Sequence, residues 1–250
     1  MGVTRRSLRA IEGDSRRYAG LSATERRAGR RARLLEAGLE YYGTLGFRRT
    51  TIPQLCSSAG VTARHFYEEF GTQEALLRAV FDEIADEVLA AIRSELYVPG
   101  RTWTETVRQA CTAYFRQITK DRRRARIFAL EIVGVSTELD LHRKRVRDTF
   151  ANLALDSSAR LVAPDGDEDL DGRLLSLAIA GAADALTIEW VLGRPRPSVE
   201  TLIEQLAKIW FRTMQIDRLD PQLRPWAGLP SATDLQDGPG HVGGGRRQQP

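Results

Sequence analysis

The chain has 250 residues, of which 42% are hydrophobic and 28% are charged, and its formal net charge is +4. These proportions exclude a fibrous or wholly disordered protein and allow a sizeable buried core. No apolar run approaches the roughly 20 residues that span a bilayer, and the N-terminus lacks a secretory signal, so we expect a cytoplasmic protein with no membrane contact. The charge is unevenly distributed. Residues 1–71 hold 13 arginines and 7 acidic residues, whereas the remainder holds 24 basic and 26 acidic residues. This asymmetry is typical of a phosphate-binding part joined to a part with another task.

The N-terminal residues 1–21 carry five arginines and few apolar side chains, which predicts a mobile basic arm. Such an arm is either a solvated tail or a segment that follows the DNA backbone or enters the minor groove. The first ordered helix is predicted to begin after Ser22, which forms a capping box with Glu25, and to continue to about Leu45.

Residues 50–70 contain the most informative pattern of the chain. Thr51 and Gln54 form a second capping box, and Gly60 is suited to the left-handed conformation that ends a helix. Thr62 is then placed to cap a second short helix that runs to about Phe70. Two short helices joined by a tight glycine turn predict a helix-turn-helix, although an ordinary helical corner can show the same pattern.

Five spaced segments of this region carry a family resemblance: Arg33–Ala37, Gly46–Thr51, Ala59–Thr62, Phe66–Phe70 and Glu74–Leu76. Together they resemble the N-terminal domain of TetR-family transcriptional regulators, over about residues 30–80. The resemblance implies an all-helical homodimer with a three-helix DNA-binding domain and a divergent helical domain that binds a small effector. This chain has Glu69 and Gln73 where the family commonly has histidine and a phosphate-contacting lysine.

The expected DNA contacts fall into two groups. Base edges are expected to be contacted from the first turn of the second motif helix, by Ala63, Arg64 and His65. Phosphates are expected to be bound by residues that cap or flank the two motif helices: Arg48, Arg49, Thr51, Thr62 and Tyr67. For Thr51 and Tyr67, this role is what the resemblance implies.

After Gly71 the pattern remains helical, and no segment predicts a β-strand. A long helix from Thr72 to about Tyr97 joins the two parts of the chain, and further helices follow to about Met214. We therefore predict an all-α protein with four segments: a basic arm (1–21), a helix-turn-helix DNA-binding domain (22–71), a helical effector-binding and dimerisation domain (72–216) and a flexible tail (217–250).

Three smaller features leave alternatives. The basic run Lys120–Arg126 indicates a solvated face or, alternatively, a second nucleic-acid patch. The two cysteines, Cys56 and Cys111, indicate small buried hydrophobes rather than a redox switch. The acidic turn near Asp165, Asp167 and Asp169 resembles half of a calcium loop but lacks the later glutamate, which favours a solvated turn.

The effector pocket and the dimer interface are both expected in the second domain. Aromatic and apolar residues at helical spacing predict the pocket lining: Trp103, Val107, Tyr114, Phe115, Phe128, Ile132, Phe150 and Leu153, with Glu131 or Asp184 as a polar anchor. Small and apolar residues on the last two helices predict the dimer interface: Ala178, Gly181, Ala182, Ala185, Leu206 and Trp210.

The sequence contains no recognisable catalytic, metal-binding or cofactor-binding motif. Together with what the resemblance implies, this leads us to expect a non-enzymatic regulator that binds a double-stranded DNA operator as a homodimer and is released by an unidentified small molecule. The alternatives are an architectural DNA-binding protein without an effector and, less favoured, a helical-bundle enzyme or carrier.

Overall fold

The computed structural model describes residues 22–159 and 171–213. Within these ranges the chain forms nine α-helices, one 3-10 turn and one π-helical turn, and it contains no strand. The predicted arm, the acidic turn and the tail all lie outside the described residues. The helices are α1 (Ala23–Thr44), α2 (Ile52–Ala59), α3 (Ala63–Glu69), α4 (Gln73–Leu96), α5 (Trp103–Ile118), α6 (Arg122–Arg126), α7 (Thr137–Ala159), α8 (Gly172–Leu192) and α9 (Val199–Thr213).

The caps predicted from the sequence begin the N-terminal helices. Ser22 and Glu25 form a reciprocal capping box at the start of α1. At the start of α2, the side chain of Gln54 accepts hydrogen bonds from both the backbone N–H and the hydroxyl of Thr51. Gly60 ends α2 with φ +59° and ψ +42°, the left-handed conformation that glycine adopts without steric cost. Thr62 then caps α3 by accepting a hydrogen bond from the N–H of His65. The predicted helix-turn-helix is confirmed.

Helix α4 connects the N-terminal helices to the bundle. It packs against α1 at its beginning and along α5 for most of its length, and α7 also contacts it. In the bundle, α8 packs against α7 and α9, and α9 also packs on α5. A single cluster of buried apolar residues runs from α1 through the bundle, so α4 shares one core with both ends of the described chain.

Helix α8 departs from the expectation that no apolar segment of the chain approaches the length that spans a bilayer. An 18-residue window of this 21-residue helix has a mean hydropathy of 1.5, so by length and composition alone the helix could cross a membrane. The core helix of a bundle meets the same criterion, and α8 buries Ile179, Ala183 and Trp190 against its neighbours. None of the residues 22–159 and 171–213 covers its outer face, where Leu174, Ala178 and Ala185 are exposed.

The arginines of the Lys120–Arg126 run are largely engaged within the protein, which contradicts the expectation of a solvated face. Arg122 donates a hydrogen bond to the carbonyl of Val191, and Arg123 pairs with Asp121 and Glu40. The other two pair with acidic residues as well, Arg124 with Glu87 and Arg126 with Glu131. The run therefore ties α6 to α1, α4 and α8. The pattern of charge alone cannot reveal Glu40, Glu87 and Val191 as partners, because they lie far away in the sequence.

Candidate DNA interface and buried cavity

The outer face of α3 presents the side chains predicted to contact bases. Phe66 is fully buried and anchors the helix, whereas Ala63, Arg64 and Tyr67 are exposed. His65 is only half-buried, and its Nδ1 lies 3.1 Å from the hydroxyl of Thr62. The anchored helix therefore offers Arg64 to a partner most freely, while His65 is held against the helix cap.

Arg64 forms its only described contact on the same helix. Its Nε donates a 2.8 Å hydrogen bond to Glu68, one turn later, and both side chains are well exposed to solvent. An exposed pair of this kind is weak and exchanges readily for another partner. Guanine presents two acceptors in the major groove that match the guanidinium fork, so Arg64 can be transferred from Glu68 to a base edge.

The 3-10 turn at Phe47–Arg49 carries the two loop arginines predicted to bind phosphates. Arg49 donates to the carbonyl of Leu45 at 2.7 Å, and Arg48 makes a long contact of 3.5 Å with the carbonyl of Gly134. Neither arginine has a carboxylate partner among the described residues, and both are exposed. Thr51 and Thr62 are also exposed at the helix starts. The predicted phosphate-binding groups are therefore available to a ligand.

The two departures from the family pattern have structural roles. The Glu69 side chain is only 3% exposed, and its carboxylate accepts hydrogen bonds from Nε of Arg27, with Arg30 at 3.7 Å. The side-chain amide of Gln73 donates to the carbonyls of Phe47 and Thr50 at 3.1 and 2.9 Å. Glu69 thus fixes α3 to α1, and Gln73 fixes the 3-10 turn to the start of α4. Neither set of partners could be predicted from the sequence, because they lie at least 23 positions away.

Glu131 lies at the junction between the 3-10 turn and the bundle. It ends the π-helical turn (Ile127–Glu131), and its side chain is 15% exposed. One carboxylate oxygen accepts from the backbone N–H of Phe47 at 2.8 Å, and the other accepts from Nε of Arg126 at 2.7 Å. Gly46, with φ +95°, brings the chain so close that a Cβ there would lie 3.0 Å from Glu131. Glu131 therefore lies at this junction and does not line the cavity in which an effector anchor was expected.

A largely apolar cavity lies inside the bundle, with an empty volume of about 680 Å³ that includes its opening to solvent. The walls come from α4, α5, the π-helical turn, α7, α8 and α9. Phe81 stacks on Phe128 with ring centroids 5.2 Å apart, and Phe150 meets Phe128 edge-on. The aromatic walls are thus held in place by one another.

The structure places the predicted pocket residues in two groups. Tyr114, Phe128, Phe150 and Leu153 line the cavity, and so does the alternative anchor Asp184. Four other predicted residues do not line it: Trp103, Val107, Phe115 and Ile132. Val107, Phe115 and Ile132 are buried in the core, and Trp103 packs against Phe211. Helical spacing shows that a residue faces inward, but not whether it borders empty space.

Three charged side chains border the cavity. Arg143 donates from Nη2 to Asp184 at 2.7 Å, and both side chains are mostly buried. Burial raises the pKa of Asp184, although Arg143 and Arg147 act in the opposite direction. Among the described residues, Arg147 has no hydrogen-bond or ion-pair partner of its own.

The proposed dimer residues separate into two sets. Ala178 and Ala185 are exposed on α8, and Gly181 and Ala182 are partly exposed beside them. A Cβ at Gly181 would meet nothing within 4 Å. In contrast, Leu206 and Trp210 are 3% and 6% exposed and line the cavity, so their assignment to the interface is wrong.

The outer face of α8 continues beyond the small residues. Leu174 and Leu192 are 55% and 59% exposed near its two ends. Leu174, Ala178, Gly181 and Ala185 follow one another at intervals of four, three and four residues, and Leu192 lies seven residues after Ala185, so the five form one apolar stripe. We call this set the α8 stripe.

No group of three or more His, Cys, Asp or Glu side chains in residues 22–159 and 171–213 could hold a metal ion. Both cysteines are free and buried. Burial raises the pKa of the Cys111 thiol to about 12, so this cavity-lining thiol is neutral near pH 7.

Residues 34–80 match the family model described as bacterial regulatory proteins, tetR family. None of the curated proteins matches the chain. Many solved structures share its fold. The fatty acid degradation regulator FadR from Bacillus halodurans matches with a TM-score of 0.62 and 20% identity, over 72% of this chain and 94% of that one. FadR from Bacillus subtilis, in complex with stearoyl-CoA, gives a TM-score of 0.64 and 18% identity over 72% and 96%. A tetR-family regulatory protein from Rhodococcus RHA1 gives 0.61 and 22% over 74% and 96%.

Proposed function

Because this chain carries the DNA-binding domain and the fold of TetR-family transcriptional regulators, we propose that it is a cytoplasmic repressor that binds an operator as a homodimer and is released by a small molecule. The observation that carries the proposal is α3, a short helix anchored by Phe66 that exposes Arg64 beside a capped turn. This is the arrangement in which the second helix of a helix-turn-helix enters the major groove.

The homodimer is supported by the α8 stripe. An apolar face along a 21-residue helix is costly to leave in water, and small residues let a second helix approach closely. A symmetric dimer through this face would present two copies of α3 to two half-sites. Operators of this kind are inverted repeats whose half-sites are separated by about one helical turn or a multiple of it.

The cavity supports an effector, and the π-helical turn offers a route from the cavity to the DNA-binding domain. Phe128 lines the cavity, and Glu131, three residues later, holds the N–H of Phe47. Phe47 begins the 3-10 turn that carries Arg48 and Arg49. We call the contact between Glu131 and Phe47 the junction contact. A ligand that displaces Phe128 would move the 3-10 turn through the junction contact. Turns of π-helix often occur at such functional positions.

A solved structure of similar fold supports ligand binding in principle. FadR from Bacillus subtilis was determined with stearoyl-CoA, a molecule with a long apolar chain. At 18% identity this likeness concerns the fold, and we propose only that the bundle of this chain also receives a ligand with an apolar body. The ligand must bind the non-docking conformation more tightly, since a ligand without differential affinity shifts no equilibrium.

Selection of DNA fragments by the full-length chain tests the proposed function. We expect an enriched inverted repeat that competes far better than unrelated DNA. An architectural DNA-binding protein would bind without an enriched motif, and an enzyme or carrier would not retain DNA. Either outcome would refute the proposal.

The two loop arginines give a second readout of the same proposal. Arg48→Ala and Arg49→Ala should weaken binding to all DNA about equally, because phosphate contacts carry no sequence information. Each lost ionic contact should reduce the slope of log affinity against log salt by about one. An unchanged slope in both variants would show that the turn does not reach the backbone.

A further inference from the structure

Among the described residues, the cavity wall holds two guanidinium groups and one carboxylate, whose pKa burial raises and both of them lower. Arg143 and Arg147 lie one turn apart on the same face of α7, and Asp184 faces them from α8. Arg143 holds Asp184 at 2.7 Å, so this carboxylate is already engaged. Within the described residues, Arg147 has no carboxylate partner, although its side chain is half-buried against an apolar wall.

A partly buried guanidinium beside apolar walls is unfavourable unless an anion or several acceptors satisfy it. Arginine cannot relieve this cost by losing its proton, because its pKa is above 12 in ordinary surroundings. No nitrogen of Arg147 is among the buried atoms that lack a partner, so water can reach the guanidinium, and an acceptor brought by a ligand would replace that water. A carboxylate or phosphate suits the planar fork of Arg147, which can donate two parallel hydrogen bonds to either group.

A second group of the cavity wall also lacks an acceptor. The indole N–H of Trp210 is buried and has no hydrogen-bond partner among the described residues. Arg147 and Trp210 are both donors, and neither needs a donor in return. The guanidinium of Arg147 and the indole N–H of Trp210 can therefore each bind a hydrogen-bond acceptor, whereas the rest of the wall offers aromatic and aliphatic contacts.

We infer that the effector of this protein is an amphipathic anion, whose acidic group binds Arg147 and whose apolar body occupies the space between Phe81, Phe128 and Phe150. This inference rests on the proposed function, because it names the chemical class of the ligand that the cavity receives. The acidic group makes Arg147 a specificity-determining residue: it distinguishes an acid from the neutral molecule with the same body.

Matched probes test the inference on the full-length chain by calorimetric titration. Decanoate and decanol share an apolar chain and differ in charge. We expect decanoate to bind about ten to one hundred times more tightly than decanol, the range that a charge-assisted hydrogen bond provides. Decyl phosphate and decanoyl-CoA are titrated in the same way. Their affinities relative to decanoate show whether the anion is a free carboxylic acid, a phosphate or the thioester of a carrier.

Variants locate the acidic group. Arg147→Gln should reduce the preference for decanoate over decanol to within about threefold, and Arg147→Lys should restore most of it. Arg145→Gln removes an exposed arginine of the same helix that does not line the cavity, so it should behave as the native chain. Equal binding of acid and alcohol, failure of every probe to bind, or an undiminished preference in Arg147→Gln would overturn the inference.

The same variants separate this inference from the proposed function. Operator binding without ligand depends on α3 and the 3-10 turn, so Arg147→Gln should retain native affinity for selected DNA. If the native chain enriches an operator but shows no preference for acids, the regulator stands and the effector class is wrong. If the chain enriches no DNA but still prefers decanoate, the ligand class stands and the proposed function is wrong.

Discussion

Replacement of Glu131 tests whether the junction contact couples the cavity to the DNA-binding domain. In Glu131→Ala the N–H of Phe47 loses its acceptor, and Arg126 loses its carboxylate. A hydrogen bond to a charged acceptor contributes about 1.5–3 kcal/mol. The pair with Arg126, whose side chains are 30% (Arg126) and 15% (Glu131) exposed, adds up to about 1 kcal/mol. The free energy of unfolding should therefore fall by about 2–4 kcal/mol.

Glu131→Gln is the sharper variant because its amide oxygen can still accept from Phe47. The free energy of unfolding should fall by only about 1–2 kcal/mol, since a neutral bond replaces a charged one. Chemical denaturation measures both values. The protein concentration is kept the same throughout, because association shifts the apparent stability. Glu138→Gln, on exposed α7 surface, serves as the control and should leave stability nearly unchanged.

The functional assay compares operator affinity with and without saturating decanoate. Effector coupling commonly amounts to about 1–3 kcal/mol, or 5- to 150-fold in affinity. If the junction contact carries the coupling, the ratio in Glu131→Ala should fall to less than a third of the native ratio, whereas Glu131→Gln, which keeps an acceptor for Phe47, and Glu138→Gln should keep most of it. A Glu131→Ala protein that remains folded, binds decanoate and shows the native ratio would refute this route.

Three further changes test the fold and the dimer. Gln73→Ala removes two donors to loop carbonyls and should lower the free energy of unfolding by about 1–2 kcal/mol, measured by chemical denaturation; native stability would contradict the role assigned to this side chain. Gly43→Ala should lower the free energy of unfolding by about 1–3 kcal/mol, because its Cβ would lie 2.7 Å from the backbone of α6. Gly29→Ala in the same helix meets no such neighbour and should raise the free energy of unfolding by up to about 1 kcal/mol. Gly181→Glu on the α8 stripe should give a monomer in sedimentation analysis, whereas Ala90→Glu, on exposed α4 surface, should not; a dimeric Gly181→Glu would place the interface elsewhere.

Local sequence signals predicted the DNA-binding domain well. Capping residues act within three positions of their partners, so Thr51 with Gln54 and Gly60 could be placed without knowledge of the fold. The helix-turn-helix and the all-α class followed from these signals and from the helical period. The domain boundaries and the individual DNA contacts stay predictions.

Long-range contacts account for what the sequence could not provide. Glu131 contacts Phe47 across 84 positions, and Gln73 reaches Phe47 across 26. Leu206 and Trp210 lie on the buried face of α9, and periodicity could not show whether that face borders the cavity or a second subunit. Such assignments depend on which helices pack together, and a single sequence does not contain that information.

The most direct test of the central claim is DNA selection with the native chain and Arg64→Ala in parallel. The account predicts that the native chain enriches an inverted repeat and that Arg64→Ala relaxes the base preference at one position of each half-site, where a bidentate contact contributes about 1–3 kcal/mol of discrimination. Arg93→Ala, on exposed α4 surface, should return the native motif. An identical motif from Arg64→Ala and the native chain would contradict the claim that Arg64 on α3 reads the operator sequence.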